Sequence, residues 1–222
     1  MITDNLKSVM QRIARCCEQS GRPESAVKLV AVTKEADIED IQTAILAGVT
    51  DIGENRVQDA ADKYRAIGDR VTWHLIGHLQ TNKAKDAVKI FSLIHSVDSL
   101  RIAEAIDKEA RKIGKVQDVL VQVNVSGEST KFGASPEDVD NIIEECALYG
   151  NINIKGFMTI APETRDPELV RKYFRALGEL RDRINSARDT DYEELSMGMT
   201  DDFEVAIQEK STIVRIGRTI FK

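Results

Sequence analysis

The sequence has no surplus of positive charge. Its 31 Lys and Arg stand against 37 Asp and Glu, a formal net charge of -6, which is the wrong sign for a protein that neutralises a nucleic-acid backbone. A local basic pocket for a small anion is compatible with that balance. Long apolar runs are missing as well. Nothing approaches the roughly 18 residues of a spanning helix, and the opening MITDNLKSVMQRIARCCEQS lacks a signal-peptide core. No membrane partner and a cytoplasmic location are therefore expected. Cys16, Cys17 and Cys146 are odd in number, two of them are neighbours, and none forms CxxC. Neither a disulfide framework nor a zinc site is indicated, and all three are expected to pack as small apolar residues. His74, His78 and His95 share no metal-ligand spacing, and each reads as a satisfied core or surface histidine. G-x-G-x-x-G, G-x-S-x-G and P-loop sequences are absent, as are linkers and low-complexity segments.

What is present is a core-forming composition, 42% hydrophobic and 31% charged. Short β-branched runs alternate with longer helical patterns, the mark of successive βα units on a parallel sheet. Strands are expected at Val27–Thr33, Asp51–Glu54, Thr72–Ile76, Leu93–Val97, Val119–Val125, Ile152–Ile160, Tyr192–Met197 and Thr212–Ile216. The strand starts are spaced by about 26 residues, the unit size of a compact (β/α)₈ barrel of the TIM type. An open doubly wound sheet is the alternative. Residues 1–222 read as one domain. An amphipathic helix from Thr3 to Ser20 precedes the first strand and is expected to plug the N-terminal end of the barrel. Ser135-Pro136 and Asp166-Pro167 each read as the N-cap and first residue of a helix.

Barrel chemistry collects at the C-terminal ends of the strands. There Val30, Val32 and Lys34 share one face at period two, so a lysine continues an apolar stripe into the mouth. Asn55, in Gly53-Glu54-Asn55-Arg56, reads as a helix N-cap or as a ligand contact. Strand seven runs into Ser196-Met197-Gly198-Met199-Thr200-Asp201-Asp202, a turn suited to an anion, with Thr200 as the expected cap of the next helix. Strand eight carries Arg215 and Gly217 on one face and continues into Arg218 and Thr219. The loops after strands seven and eight are where barrels often hold phosphate, and closure sets strand eight beside Lys34. Met158, in line with Ile154, Gly156 and Ile160, reads as core filler and is kept as a candidate cofactor contact.

VAVTK, GENRVQD, WHLIGHLQTNK, HSVDS, QVNVSGESTKFG, GFMTIAP, LSMGMTDDFEVAI and VRIGRTIF stand in the order seen in pyridoxal phosphate homeostasis proteins, and the chain resembles that family over nearly its whole length. The resemblance implies a barrel similar to that of alanine racemase and a pyridoxal 5'-phosphate cofactor. It implies that Lys34 forms the Schiff base and that Asn55 lies beside the ring. Ser196 and the backbone of Gly217 and Arg218 would hold the phosphate, with Arg215 facing the pyridine nitrogen. Two positions depart from the pattern. Arg218 stands where a hydroxyl is common, and the common terminal IFG reads Ile220-Phe221-Lys222. Thr219, beside the first departure, remains among the implied phosphate contacts.

The implied role is to buffer and deliver the cofactor without catalysis. The expected partners are the cofactor itself and, transiently, enzymes awaiting it, with the chain a monomer. An amino-acid racemase of the same barrel type is the alternative. Such racemases take a second base, a tyrosine, from an additional domain, and only five residues follow Gly217 here. Tyr64, Tyr149 and Tyr173 read on or at the ends of helices, and Tyr192 sits at the start of strand seven, at the opposite barrel end.

Overall fold

The alternation of apolar runs becomes an alternation of strands and helices in the computed structural model, which describes residues 1–164 and 166–222. The strands are β1 (Lys28–Val32), β2 (Asp51–Glu54), β3 (Thr72–Leu75), β4 (Leu93–Val97), β5 (Gln117–Gln122), β6 (Ile152–Met158), β7 (Glu194–Ser196) and β8 (Ile213–Ile216). They close into one parallel barrel in sequence order. The helices are α1 (Ile2–Gln19), α2 (Ile38–Leu46), α3 (Val57–Ile67), α4 (Ala84–Ile90), α5 (Leu100–Lys112), α6 (Val139–Ala147), α7 (Pro167–Arg188), α8 (Phe203–Gln208) and α9 (Arg218–Phe221). Among the described residues, no helix is long and apolar enough to cross a membrane.

Side-chain alternation sorts the barrel into two apolar layers. Val30, Leu93, Leu120, Met158 and Ile213 meet inside, while a larger cluster lies between the strands and the helices. Lining the interior beside the inner cluster are polar groups from β3, β4, β7 and β8, an exception to the branched aliphatic filling usual in such barrels. Ile154 and Met158, two strand repeats apart, fall in different layers. Ile154 packs against the outer cluster and Met158 belongs to the inner one, because the β5/β6 register shifts next to Gly156. The extra residue of such a bulge reverses the side on which later side chains emerge.

Three sequence expectations need correction. Helix α1 does not plug the barrel. Its buried stripe of Leu6, Val9, Ile13, Cys16 and Cys17 lies against α2, α8 and α9. Helices α8 and α9 span only 6 and 4 residues, and α1 packs across both of them. The second concerns Ser135-Pro136, which forms a turn before α6. The helix starts at Val139, and the Ser135 hydroxyl bonds the Asp138 carboxylate at 2.8 Å. Asp166-Pro167 does open α7, with the Asp166 side chain accepting from the Glu168 amide. The third concerns α8, whose N-cap is Asp202 and not Thr200.

Candidate functional site

Pairing of β1 with β8 brings Val30 opposite Arg215 and Ala31 opposite Ile216. One residue further, Gly217 lies against Val32: a Cβ at Gly217 would stand 2.9 Å from the Val32 carbonyl oxygen. Only glycine allows the two strand ends to approach so closely. Lys34, two residues beyond Val32 in the turn that follows β1, is exposed. Its neighbour Glu35 pairs with Lys222 at 2.6 Å.

The turn that carries Lys34 is clamped from outside the barrel. Thr33 donates its hydroxyl to Glu54 Oε1 at 2.6 Å, and Lys63 Nζ on α3 reaches the same oxygen at 2.7 Å and the Thr33 carbonyl at 2.5 Å. Glu54 is fully buried, so Lys63 supplies the charge that a buried carboxylate needs. Sequence reading did not find this clamp. The acidic residue in an otherwise apolar strand end was its only signal. Asn55, the next residue, is half-buried, and α3 has Arg56 at its N-cap with no side-chain cap bond, so Asn55 is not the helix cap.

Arg215 lies inside the barrel, 3% exposed. It donates from Nη1 to Ser196 Oγ at 2.5 Å and from Nη2 to the Thr159 carbonyl at 2.9 Å. Among the described residues no carboxylate is in ion-pair reach of it. Burial lowers its pKa to about 10, while Asp202 at longer range acts to raise it. Ser196 is fully buried too, and its hydroxyl is committed to Arg215 and to His95 Nδ1, 2.9 Å away. His95 Nε2 lies 2.9 Å from His74 Nδ1, and His74 Nε2 lies 2.9 Å from Asp51 Oδ1. The two histidines are satisfied core residues, as their lack of ligand spacing suggested, and they also link to the site. Burial, with His74, Arg215 and Lys28 nearby, holds His95 well below the ordinary histidine value.

The loops after β7 and β8 meet beside this layer. The Arg215 amide donates to the Gly198 carbonyl at 3.0 Å. The Met199 amide is taken by the Asp202 carboxylate at 2.6 Å. The Arg218 side chain pairs with Asp201 across the two loops. Within the described residues the Arg218 and Thr219 amides, at the first turn of α9, find no backbone acceptor. Met158 fills the inner cluster from β6. His78 stacks on Phe132 with ring centroids 4.1 Å apart and lies 3.3 Å from Asp98. No group of His, Cys, Asp and Glu among the described residues is arranged to hold a metal.

Residues 3–222 match the family model described as alanine racemase, N-terminal domain. A pyridoxal phosphate homeostasis protein of Aquifex aeolicus is 45% identical over 98% of this chain and 96% of its own length. That of Pseudomonas aeruginosa is 37% identical over 99% and 94%. The chain belongs to the pyridoxal phosphate homeostasis protein family. Within the family, PipY of Synechococcus elongatus, solved with PLP bound, is 32% identical with a TM-score of 0.88, each chain being covered in full. An alanine racemase of Clostridium difficile superposes with a TM-score of 0.78 at 18% identity, over 98% of this chain and 56% of the racemase. That likeness is one of fold.

Proposed function

We propose that the chain holds pyridoxal 5'-phosphate on Lys34 and serves in its homeostasis, keeping the cofactor available for delivery. The observation that supports this reading is the pairing of β1 with β8, which sets the strand followed by the exposed Lys34 beside the strand of Arg215, a buried guanidinium with no carboxylate partner among the described residues. A buried cation without a counter-charge is costly unless a ligand supplies the acceptor. The structure of PipY with PLP bound and the names of the relatives agree with this ligand.

The aldehyde of pyridoxal phosphate condenses reversibly with an amine and loses water, a link that another amine can undo. The proposed amine is Lys34 Nζ, on an exposed side chain. The free first-turn amides of Arg218 and Thr219, beside Gly217, suit the phosphate. Ser196 would act through Arg215, since its hydroxyl is already engaged. Arg215 presents donors only, so a pyridine nitrogen held by it would be the unprotonated acceptor, and the ring would be a weaker electron sink. Asn55 would lie at the side of the ring, and Met158 of the inner apolar cluster would contribute to the floor beneath it.

This arrangement favours holding over catalysis. Tyr64 bonds Asp69 on the outer face, and Tyr192 packs edge-on against Phe157 before β7, so neither offers the second base of a racemase. The test is transfer: protein loaded with the cofactor is mixed with the apo form of an unrelated pyridoxal phosphate enzyme. Recovery of that enzyme's activity, with loss of visible absorbance from this protein, is expected. Absorbance that stays on this protein for hours without recovery would overturn the delivery role. Enzyme-like α-deuterium exchange of alanine, absent in Lys34→Ala, would favour the racemase reading.

A further inference from the structure

The buried polar groups form one continuous chain across the barrel. It rises from Asp51, the first residue of β2, through His74 on β3, His95 on β4 and Ser196 at the end of β7 to Arg215 on β8. Its lower end opens near a cavity of about 620 Å³ lined by Lys28, Arg181, Glu194 and Thr212, with Lys28 Nζ 3.8 Å from Asp51 Oδ1. Nothing in the mechanism above uses Asp51, His74 or His95.

With one N–H on each imidazole, the carboxylate end sets the direction of the hydrogen bonds and the guanidinium end is compatible with it. A guanidinium only donates, so Ser196 Oγ accepts from Arg215. A carboxylate only accepts, so His74 donates to Asp51 from Nε2. His74 Nδ1 is then an acceptor and receives the Nε2 hydrogen of His95. His95 Nδ1 in turn accepts the Ser196 hydroxyl proton. Each group is used once in this arrangement, and both imidazoles are neutral. The reversed order sets an unprotonated His74 Nε2 against the Asp51 carboxylate and leaves the Ser196 proton without its acceptor.

We propose that Asp51, His74 and His95 are positioning residues for Arg215. By taking the Ser196 hydroxyl proton they turn the lone pairs of its oxygen toward Nη1, while the Thr159 carbonyl holds Nη2. Both partners of the guanidinium are thus neutral oxygens, and the one carboxylate in the chain is kept four hydrogen bonds away. Among the described residues Arg215 has no carboxylate within ion-pair reach, Asp202 acting only at longer range, so a ligand that meets it must bring an acceptor. The statement about the ligand rests on the cofactor reading given above, whereas the statement about the hydrogen-bond order does not.

The experiment has two arms. Protein labelled with ¹⁵N-histidine, without cofactor, is examined by long-range ¹H–¹⁵N correlation at pH 7. His74 and His95 are expected as single Nε2–H tautomers, and an Nδ1–H or doubly protonated form of either would overturn the proposal. In Asp51→Asn the side-chain amide can donate to His74 and permit the reversed order. Nδ1–H signals are then expected on both histidines, together with a roughly threefold to tenfold weaker hold on pyridoxal phosphate, the scale of one hydrogen bond. Asp51→Glu, which keeps an acceptor-only end, is expected to retain the Nε2–H tautomers. Unchanged affinity in a folded Asp51→Asn protein whose tautomers have moved would overturn the link to Arg215. Expected tautomers in a protein that takes up no cofactor would support the order of the chain and overturn the cofactor reading alone.

Discussion

Removing Lys63 isolates a carboxylate inside the protein. Glu54 is fully buried, its Oε2 has no partner, and its Oε1 is shared by Thr33 and Lys63. The Lys63 side chain is 14% exposed, so water replaces it poorly. Breaking a buried pair from one side costs about 3 to 5 kcal/mol, and the partial access of Lys63 together with the surviving Thr33 bond reduces this to about 2 to 4 kcal/mol for Lys63→Met. For a chain of this size that is a fall of roughly 4 to 16 °C in Tm. Adding Glu54→Gln to the Lys63→Met protein removes the stranded charge yet keeps an acceptor for Thr33, and at least half of the loss should return. Urea and thermal unfolding of the two single variants and the double variant at pH 7 provide the cycle. A cost under about 0.5 kcal/mol for Lys63→Met, or no recovery in the double variant, would refute the clamp.

Three further outcomes are expected. His95 is held well below 6.5 in the folded state, so the unfolded chain takes up its proton first and stability falls as pH drops through 6.5. The loss between pH 7 and 5.5 is on the order of 1 kcal/mol from this group; urea unfolding should show that component disappear in His95→Gln, and an equal slope in both proteins would reject it. Ser196→Ala leaves Arg215 Nη1 without its acceptor, and equilibrium binding should show cofactor affinity lower by roughly tenfold to a hundredfold, with the hydroxyl of Ser196→Thr restoring part of it. Gly217→Val drives a side chain onto the Val32 carbonyl 2.9 Å away; thermal unfolding should show a loss of about 1 to 3 kcal/mol, and an unaltered Tm would mean that the β1 and β8 ends are not in close contact.

The barrel was legible because its signal is local. Four-residue runs such as Asp51–Glu54 and five-residue runs such as Leu93–Val97 carry their own alternation, and both strands have the limits expected from sequence. The place of α1 was not legible, because an amphipathic stripe records that a face is buried and says nothing about what buries it. Its partners include the short α8 and α9, near the other end of the chain. The layer of Met158 was hidden by the bulge beside Gly156, which shifts the phase of alternation within one strand. That β1 lies beside β8 could be read because strand closure makes the two neighbours by rule, and it is this neighbouring that groups Lys34, Arg215 and Gly217 in the proposed site. The relay could not be read: His95 meets Ser196 across 101 residues and His74 across 21, and no spacing pattern encodes a contact made through the middle of a barrel.

The central claim is that Lys34 is the residue that carries the cofactor. Protein incubated with pyridoxal 5'-phosphate and reduced with borohydride should retain one pyridoxyl group in the peptide containing Lys34, and Lys34→Ala should retain none at that stoichiometry. A pyridoxyl group found instead on Lys83, Lys85 or Lys131, with the Lys34 peptide unmodified, would contradict the account.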